Sequence, residues 1–268
     1  MPNTQPDFDA LIREALDEPV SGWAFPFLDG RRTSDALTWD YSEIDRGLVR
    51  DADVVLDHGT GGGEVLAGLG RSHDRIVATE AYAPNMPVAR RTLEPLGVDV
   101  VQVSEETFDT RGPTAEHPGR RMPFEDASFD LVLARNVAFS STEIIRILRP
   151  GGHLLTEMGR AGAPRPGEVR LTHHFPDVKT NDWPAWSLND HLNAAGFVIE
   201  EYREQLARTY FHDIGALVYF LRTVPWAIPD FTVETYRDRL LNMHDHIQTD
   251  GSVVTAGTSL LAHATKPA

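Results

Sequence analysis

The sequence predicts a doubly wound α/β fold, in which a mostly parallel sheet is covered by helices on both faces. Two observations carry this prediction. Apolar runs of about five residues alternate with helical patterns through the middle of the chain, and such runs are typical of parallel strands buried on both faces. A glycine-rich turn also links the first of these runs to a helix, a connection that α/β folds use to bind nucleotides.

The elements follow one another in a regular order. A first helix is predicted at 7–16, and an aromatic, turn-rich segment follows at 19–41. Seven strands are predicted at 53–57, 75–80, 98–103, 129–134, 153–157, 197–206 and 251–264, with helices between them at 62–69, 85–96, 141–148, 187–196, 213–224 and 233–246. The predicted parts are an N-terminal helical and aromatic cap, a core, a helical lid insertion before the last strand, and that last strand, at 1–50, 51–206, 207–250 and 251–268.

Composition and charge exclude several classes of protein. The 268 residues include 25 Lys and Arg against 40 Asp and Glu, a net charge of −15, so the chain repels polyanions and nucleic acid is not an expected partner. No apolar run reaches the roughly 18–20 residues that cross a bilayer, and the start does not resemble a secretory signal. A cytoplasmic protein is therefore expected. Because the chain has no cysteine, disulfides, thiolate metal sites and a cysteine nucleophile are excluded.

The most specific motif follows the first core strand, where D-x-G-x-G-x-G spans 57–63. Glycine lets the backbone turn tightly and approach a ligand closely. The next strand ends at Glu80, whose carboxylate can accept hydrogen bonds from both hydroxyls of a ribose. A nicotinamide oxidoreductase would place a small residue at Glu64, where a glutamate is bulky and adds negative charge beside a pyrophosphate. Glu64 therefore counts against a dinucleotide ligand.

Two further motifs lie downstream. Residues 122–133 read M-P-F-E-D-A-S-F-D-L-V-L, and residues 147–155 read I-L-R-P-G-G-H-L-L. Together with the glycine motif, and in the same order, they resemble the motifs of class I S-adenosylmethionine (SAM)-dependent methyltransferases. The resemblance covers residues 53–157 and implies a Rossmann-like, seven-stranded sheet, SAM as cofactor and methyl transfer as the reaction.

The resemblance also implies a cofactor site. Asp57 and the backbone of the glycine turn would hold the methionine part of SAM, and Glu80 its ribose. Residues just past the fourth core strand would line the site of methyl transfer. The stretch at 108–121 is longer than the family usually has. It is therefore open which residue contacts the adenine, and Arg121 and Met122 are candidates by position. The expected cofactor-binding residues are Asp57, Gly59, Thr60, Gly61, Glu80, Ala81, Met122, Arg135 and Asn136.

Histidines are the candidate catalytic residues. A general base helps methyl transfer only when the acceptor nucleophile arrives protonated. His173, His174 and His212 lie in segments expected to cover the carboxyl ends of the strands, and each is a candidate base. His58, inside the glycine turn, is expected to pack or to form a hydrogen bond instead.

No metal site is expected, because His244 and His246 are two positions apart on a predicted helix and diverge. Many aromatic side chains lie outside the three motifs, and most are expected to pack the added helices onto the sheet. Some of them could instead form an apolar chamber for the acceptor. These aromatic residues are Trp23, Phe25, Phe27, Trp183, Trp186, Tyr210, Phe211, Tyr219 and Trp226.

The function expected from these observations is transfer of a methyl group from SAM to an oxygen, nitrogen or carbon nucleophile of a small molecule. The alternatives are an RNA or protein methyltransferase, a non-catalytic SAM-binding module, and a nicotinamide oxidoreductase. The acidic charge counts against RNA, and Glu64 with the two downstream motifs counts against the oxidoreductase.

Overall fold

The computed structural model describes most of the chain. The described residues are 4–20, 23, 25–69, 75–104, 121–160, 165–175, 187–225 and 227–268, with side chains from residue 7 onward. Three of the aromatic residues singled out above, Trp183, Trp186 and Trp226, lie outside them, as does most of the stretch at 108–121.

The described residues form one sheet of eight strands, in the order β1-β7-β8-β6-β5-β2-β3-β4. Neighbours from β6 to β4 are parallel, and β8 is antiparallel to both β6 and β7. The mostly parallel, doubly wound sheet is therefore confirmed. The strands are β1 (Arg32–Ser34), β2 (Val55–His58), β3 (Ile76–Glu80), β4 (Asp99–Gln102), β5 (Phe129–Arg135), β6 (Leu148–Gly159), β7 (Val198–Phe211) and β8 (Val253–Thr265).

The predicted number of seven strands is wrong. The extra strand is β1, which lies within the predicted N-terminal cap and pairs antiparallel with the end of β7, Arg32 opposite Phe211. Its three residues are too few to show a strand pattern in the sequence. Strand β7 also continues to Phe211, past residue 206 where the core was predicted to end.

Eight α-helices are described, and polar side chains cap several of them. The Asp40 carboxylate accepts a hydrogen bond from the Ser42 N–H (2.8 Å) at the start of α2, and the Asp213 carboxylate accepts one from the Ala216 N–H (2.8 Å) at the start of α7. The helices are α1 (Thr4–Asp17), α2 (Tyr41–Asp51), α3 (Glu64–Ala67), α4 (Met86–Leu93), α5 (Ser141–Ile147), α6 (Leu188–Ala195), α7 (Ile214–Thr223) and α8 (Arg237–Asp250).

The sheet separates two apolar layers. Strand residues Val55 and Leu133 pack with α2, α3 and α4 on one face, and Leu56 and Val132 pack with α5 and α6 on the other. Alternate residues of a strand point to opposite faces, so this division also fixes the side on which each residue at the ends of the strands lies.

A third apolar cluster lies among the added helices. It joins α1, the short 3-10 helix Pro26–Leu28, α7 and α8, and its centre includes the fully buried Phe8 and Leu217. In sequence, α7 and α8 lie between β7 and β8. The first helix of the chain and the helices before the last strand therefore share one core.

Candidate active site

The glycine motif forms a tight turn at the carboxyl end of β2. Gly59 and Gly61 have φ angles of +74° and +64°, in the left-handed region that favours glycine. A Cβ on Gly59 would lie 2.5 Å from Val137 Cγ2, and one on Gly61 would lie 2.6 Å from Trp23 Cδ1. The side chains of Val137 and Trp23 therefore lie close to the backbone of this turn. A side chain at Gly59 would collide with Val137, and one at Gly61 with Trp23.

Strand β3 holds the turn in place. The Thr60 N–H donates to the Thr79 carbonyl (2.8 Å), and the buried His58 places Nδ1 3.0 Å from Thr79 Oγ1. Burial lowers the pKa of His58 to about 4, so its imidazole is neutral at pH 7. His58 is a hydrogen-bonding residue of the turn, as expected from the sequence.

Asp57 lies next to the end of β2, on the sheet face that α2 covers. Burial raises the pKa of its carboxyl to about 6, the Thr60 side chain lowers it, and the negative charge of Glu80 raises it further. A partly desolvated carboxylate gains stability from a nearby cation. Asp57 is therefore suited to a positively charged ligand group.

Glu80 ends β3, and its buried carboxylate folds back onto the backbone. Its Oε1 accepts hydrogen bonds from the Ala81 N–H (2.8 Å) and the Tyr82 N–H (2.7 Å). Burial raises the pKa of Glu80, while these bonds, the Gly61 N–H and the Asn85 side chain act to lower it. The carboxylate thus bridges the end of β3 and the glycine turn.

A polar layer links α2 to the ends of β5 and β6. The buried Glu157 accepts hydrogen bonds from Arg135 Nε (3.0 Å) and from Trp39 Nε1 (2.7 Å). The Arg135 guanidinium lies 5.0 Å from the centre of the Tyr41 ring, a cation–π distance. Arg135 is therefore held by two partners beside the site.

The other predicted cofactor residues differ in their surroundings. Asn136 has a φ of +51°, and its N–H donates to the Glu157 carbonyl (2.6 Å). Ala81 is buried next to Glu80. Met122 is buried in the apolar layer with α5 and α6, and its N–H donates to Glu143 Oε2 (2.8 Å). Met122 therefore lies on the side of the sheet opposite Asp57, and its role at the adenine stays a prediction.

Comparison with known proteins identifies the central part of the chain. The sequence profile of the family described as "Methyltransferase domain" matches residues 56–156. Residues 56–156 therefore form a methyltransferase domain. The match begins within β2, contains the glycine turn and Glu80, and ends within β6.

Solved structures share the fold of this methyltransferase. A candidate methyltransferase from Bacillus halodurans C-125 has a TM-score of 0.54 and 24% identity, over 83% of this chain and 98% of that one. The YcgJ protein from Bacillus subtilis has a TM-score of 0.54 and 17% identity, over 84% and 99%. The [4+2]-cyclase SpnF has a TM-score of 0.52 and 16% identity, over 98% and 94%. Comparison with curated protein sequences found no significant match.

The three candidate catalytic histidines of the methyltransferase already make hydrogen bonds. His212, exposed at the end of β7, has Nε2 2.8 Å from Thr33 Oγ1. His173 Nδ1 accepts from the Arg170 N–H (2.8 Å), and His174 Nε2 donates to the Val254 carbonyl (3.0 Å). His173 and His174 are consecutive residues of the 3-10 helix Leu171–His174, and a catalytic role for any of the three stays a prediction.

The described residues contain no group of three or more acidic or histidine side chains that could hold a metal ion. His244 is buried against Phe8, with ring centres 5.7 Å apart, whereas the half-exposed His246 contacts Asp250 (2.8 Å). Within the same residues, no helix of the methyltransferase is long and apolar enough to cross a membrane.

Sequence reasoning missed several residues of this site. Trp39, Tyr41 and Asp45, on and just before α2, were not singled out, and neither was Glu157 on β6. Tyr41 and Asp45 are four positions apart, which places two polar side chains on one helix face. That spacing was a usable signal, since the other side chains of this face, such as Val49, are apolar and buried.

Proposed function

We propose that this methyltransferase transfers the methyl group of SAM to an oxygen, nitrogen or carbon nucleophile of a small-molecule acceptor by in-line displacement. The observation that carries the proposal is the carboxyl edge of the sheet. There, a bare glycine turn lies between the carboxylates of Asp57 and Glu80.

The residues at this edge fit SAM chemically. The turn at Gly59 and Gly61 leaves no room for a Cβ, and such a bare backbone can lie directly against a ligand. SAM has no phosphate and carries two cationic groups, a sulfonium and an α-ammonium. Asp57 and Glu80 suit these cations and the ribose hydroxyls, whereas a pyrophosphate would be repelled.

Bound SAM supplies an electrophilic methyl carbon on a positively charged sulfur. Asp57 and the turn would hold its methionine part, Glu80 its ribose and Ala81 its adenine edge. Arg135 and Asn136, at the end of β5, would line the acceptor side. Fixing the reacting groups in this way replaces a collision in water by a positioned reaction.

Aromatic side chains beside the turn support an apolar, water-excluding acceptor site. The Trp23 ring contacts Gly61 and lies 5.4 Å from the Phe25 ring, which lies 6.4 Å from the Tyr219 ring on α7. This row of rings runs from the glycine turn to the added helices. Apolar walls around a few polar groups are typical of small-molecule sites, and excluding water strengthens the electrostatic interactions inside.

Charge favours a small molecule over RNA, since the chain carries a net charge of −15. A protein acceptor and a non-catalytic SAM-binding role remain the alternatives. A base is required only for a protonated acceptor, and His173, His174 and His212 stay candidates for it. A cytoplasmic location also stays a prediction.

Two measurements test the proposal. Calorimetry with SAM, S-adenosylhomocysteine and NAD should show binding of the two sulfur nucleosides and none of NAD. Incubation with methyl-labelled SAM and a metabolite extract should then label a small molecule. NAD binding without SAM binding would contradict the proposed cofactor. If SAM bound and the label appeared only in protein added to the reaction, a protein acceptor would be favoured. If SAM bound and no molecule were labelled, a non-catalytic SAM-binding role would be favoured.

A further inference from the structure

The polar layer under α2 contains more acid than its own base can neutralise. Asp57, Arg135 and Glu157 lie near the carboxyl ends of neighbouring strands, on the sheet face that α2 covers. The first turns of α2 add Tyr41 and Asp45 to this face. Three carboxyl groups therefore share one guanidinium, and that guanidinium is already bonded to Glu157 at 3.0 Å.

Asp45 is the unusual member of this layer. It is 1% exposed, and neither of its carboxylate oxygens makes a well-formed hydrogen bond to a described residue, although the Arg46 N–H lies close enough to lower its pKa. The Tyr41 hydroxyl is likewise buried without a partner among the described side chains and backbone groups. A buried carboxylate without partners has lost its hydration without compensation, so a ligand that supplied hydrogen-bond donors there would be bound strongly.

The charged neighbours of Asp45 indicate the sign of the charge that such a ligand would carry. Burial raises the pKa of Asp45 to about 6, Arg46 and Arg135 lower it, and the negative charge of Asp57 raises it. Asp57 and Asp45 both raise the pKa of Tyr41 as well. Two carboxyl groups that repel each other in a desolvated layer are relieved by a cation between them.

We propose that Asp45, together with Asp57, binds the α-ammonium group of SAM. This inference rests on the proposed function, which places the methionine part of SAM at Asp57. An ammonium has three donors and a full positive charge, and it would satisfy the Asp45 carboxylate. Asp45 would thereby select ligands that carry the amino group and position the methionine part.

The test pairs a protein variant with a ligand variant. Calorimetry would measure S-adenosylhomocysteine, its analogue lacking the α-amino group, and 5′-methylthioadenosine, which lacks the whole amino-acid part. Asp45→Asn should weaken S-adenosylhomocysteine binding by roughly ten- to a hundredfold, because a charge-assisted hydrogen bond is lost. It should leave the affinities of the other two nucleosides within about twofold, and thermal unfolding would establish that the variant is folded. Glu43→Gln, an exposed charge change on the same helix, should alter none of the three.

Other outcomes would overturn the inference. Equal weakening of all three ligands would mean that Asp45 supports the fold and does not read the amino group. If Asp45→Asn fails to fold, the unaltered protein still tests the proposal. Equal affinity of the unaltered protein for S-adenosylhomocysteine and its deaminated analogue would refute it. If the unaltered protein bound no adenosine ligand at all, the proposed function itself would fail, a result distinct from either of these.

Discussion

At the scale of single residues, the site depends on how closely Trp23 approaches the glycine turn. We predict that Gly61→Ala strongly weakens SAM binding, because Gly61 has a φ of +64° and a new Cβ would lie 2.6 Å from Trp23 Cδ1. Adding Trp23→Ala removes the collision but leaves backbone strain of roughly 1–2 kcal/mol. Calorimetry on both variants checks this. Unchanged binding in Gly61→Ala would mean that the turn is not part of the site.

Glu80 provides a second prediction at this scale. We expect Glu80→Ala to weaken SAM binding by about 1–3 kcal/mol, since buried ribose hydroxyls would lose a charged acceptor. The carboxylate already accepts the Ala81 and Tyr82 N–H groups, so thermal unfolding should be measured alongside calorimetry. Glu94→Ala, an exposed carboxylate after α4, is the matched control. Equal affinities in all three proteins would remove Glu80 from the ribose site.

At the scale of elements, Asp213 joins the N-terminal segment to α7. Its carboxylate caps α7 through the Ala216 N–H and accepts two hydrogen bonds of 2.7 Å from Arg31. We predict that Asp213→Ala lowers the free energy of unfolding by about 2 kcal/mol, from loss of the cap and the part-buried ion pair. Asp213→Asn keeps a capping side chain and should lose less. Chemical denaturation measures both, and identical losses would show that the cap contributes nothing.

Glu168 fastens the segment after β6 to β8 and gives the fold a pH dependence. Burial alone would raise its pKa, but bonds from Arg160, the Thr258 hydroxyl and the Arg165 N–H outweigh that effect and lower it to about 2. A carboxyl whose pKa is lower in the folded than in the unfolded chain stabilises the fold above its unfolded pKa, and this contribution is lost as the pH falls through the folded value.

We therefore expect Glu168→Gln to destabilise the protein by about 3 kcal/mol at pH 7. The difference in free energy of unfolding between Glu168→Gln and the unaltered protein should shrink below about pH 4.5 and vanish near pH 2. Urea denaturation across this pH range measures it, with Glu200→Gln, an exposed change on β7, as control. A difference that did not depend on pH would show that the ionised carboxylate is not the stabilising group.

At the scale of the whole molecule, the sequence predicts the sheet better than it predicts the site. Each core strand is signalled by its own apolar run, so β2, β3 and β5 lie close to where they are predicted. Strand β6 is longer than predicted because it begins at Leu148, ahead of the Pro-Gly-Gly segment at 150–152 that resembles a turn. Periodicity detects an element only when enough residues repeat it, and β1 is too short.

Most of the polar layer could not be predicted, because only folding brings its members together. Trp39 and Glu157, bonded at 2.7 Å, are 118 positions apart in the chain. The residues of a local motif such as the glycine turn are close in the sequence, so their spacing shows the motif. The residues of a layer assembled from α2, β5 and β6 are far apart in the sequence and show no common spacing. Only the four-residue spacing of Tyr41 and Asp45 hinted at it.

The most direct test of the whole account is a crystal structure of the methyltransferase with S-adenosylhomocysteine bound. We expect the nucleoside at the carboxyl edge of the sheet, with its amino-acid part against the turn at 59–61, its ribose on Glu80 and its ammonium between Asp45 and Asp57. Ligand density at another place, or none at saturating concentration with the edge filled by protein side chains, would contradict the account.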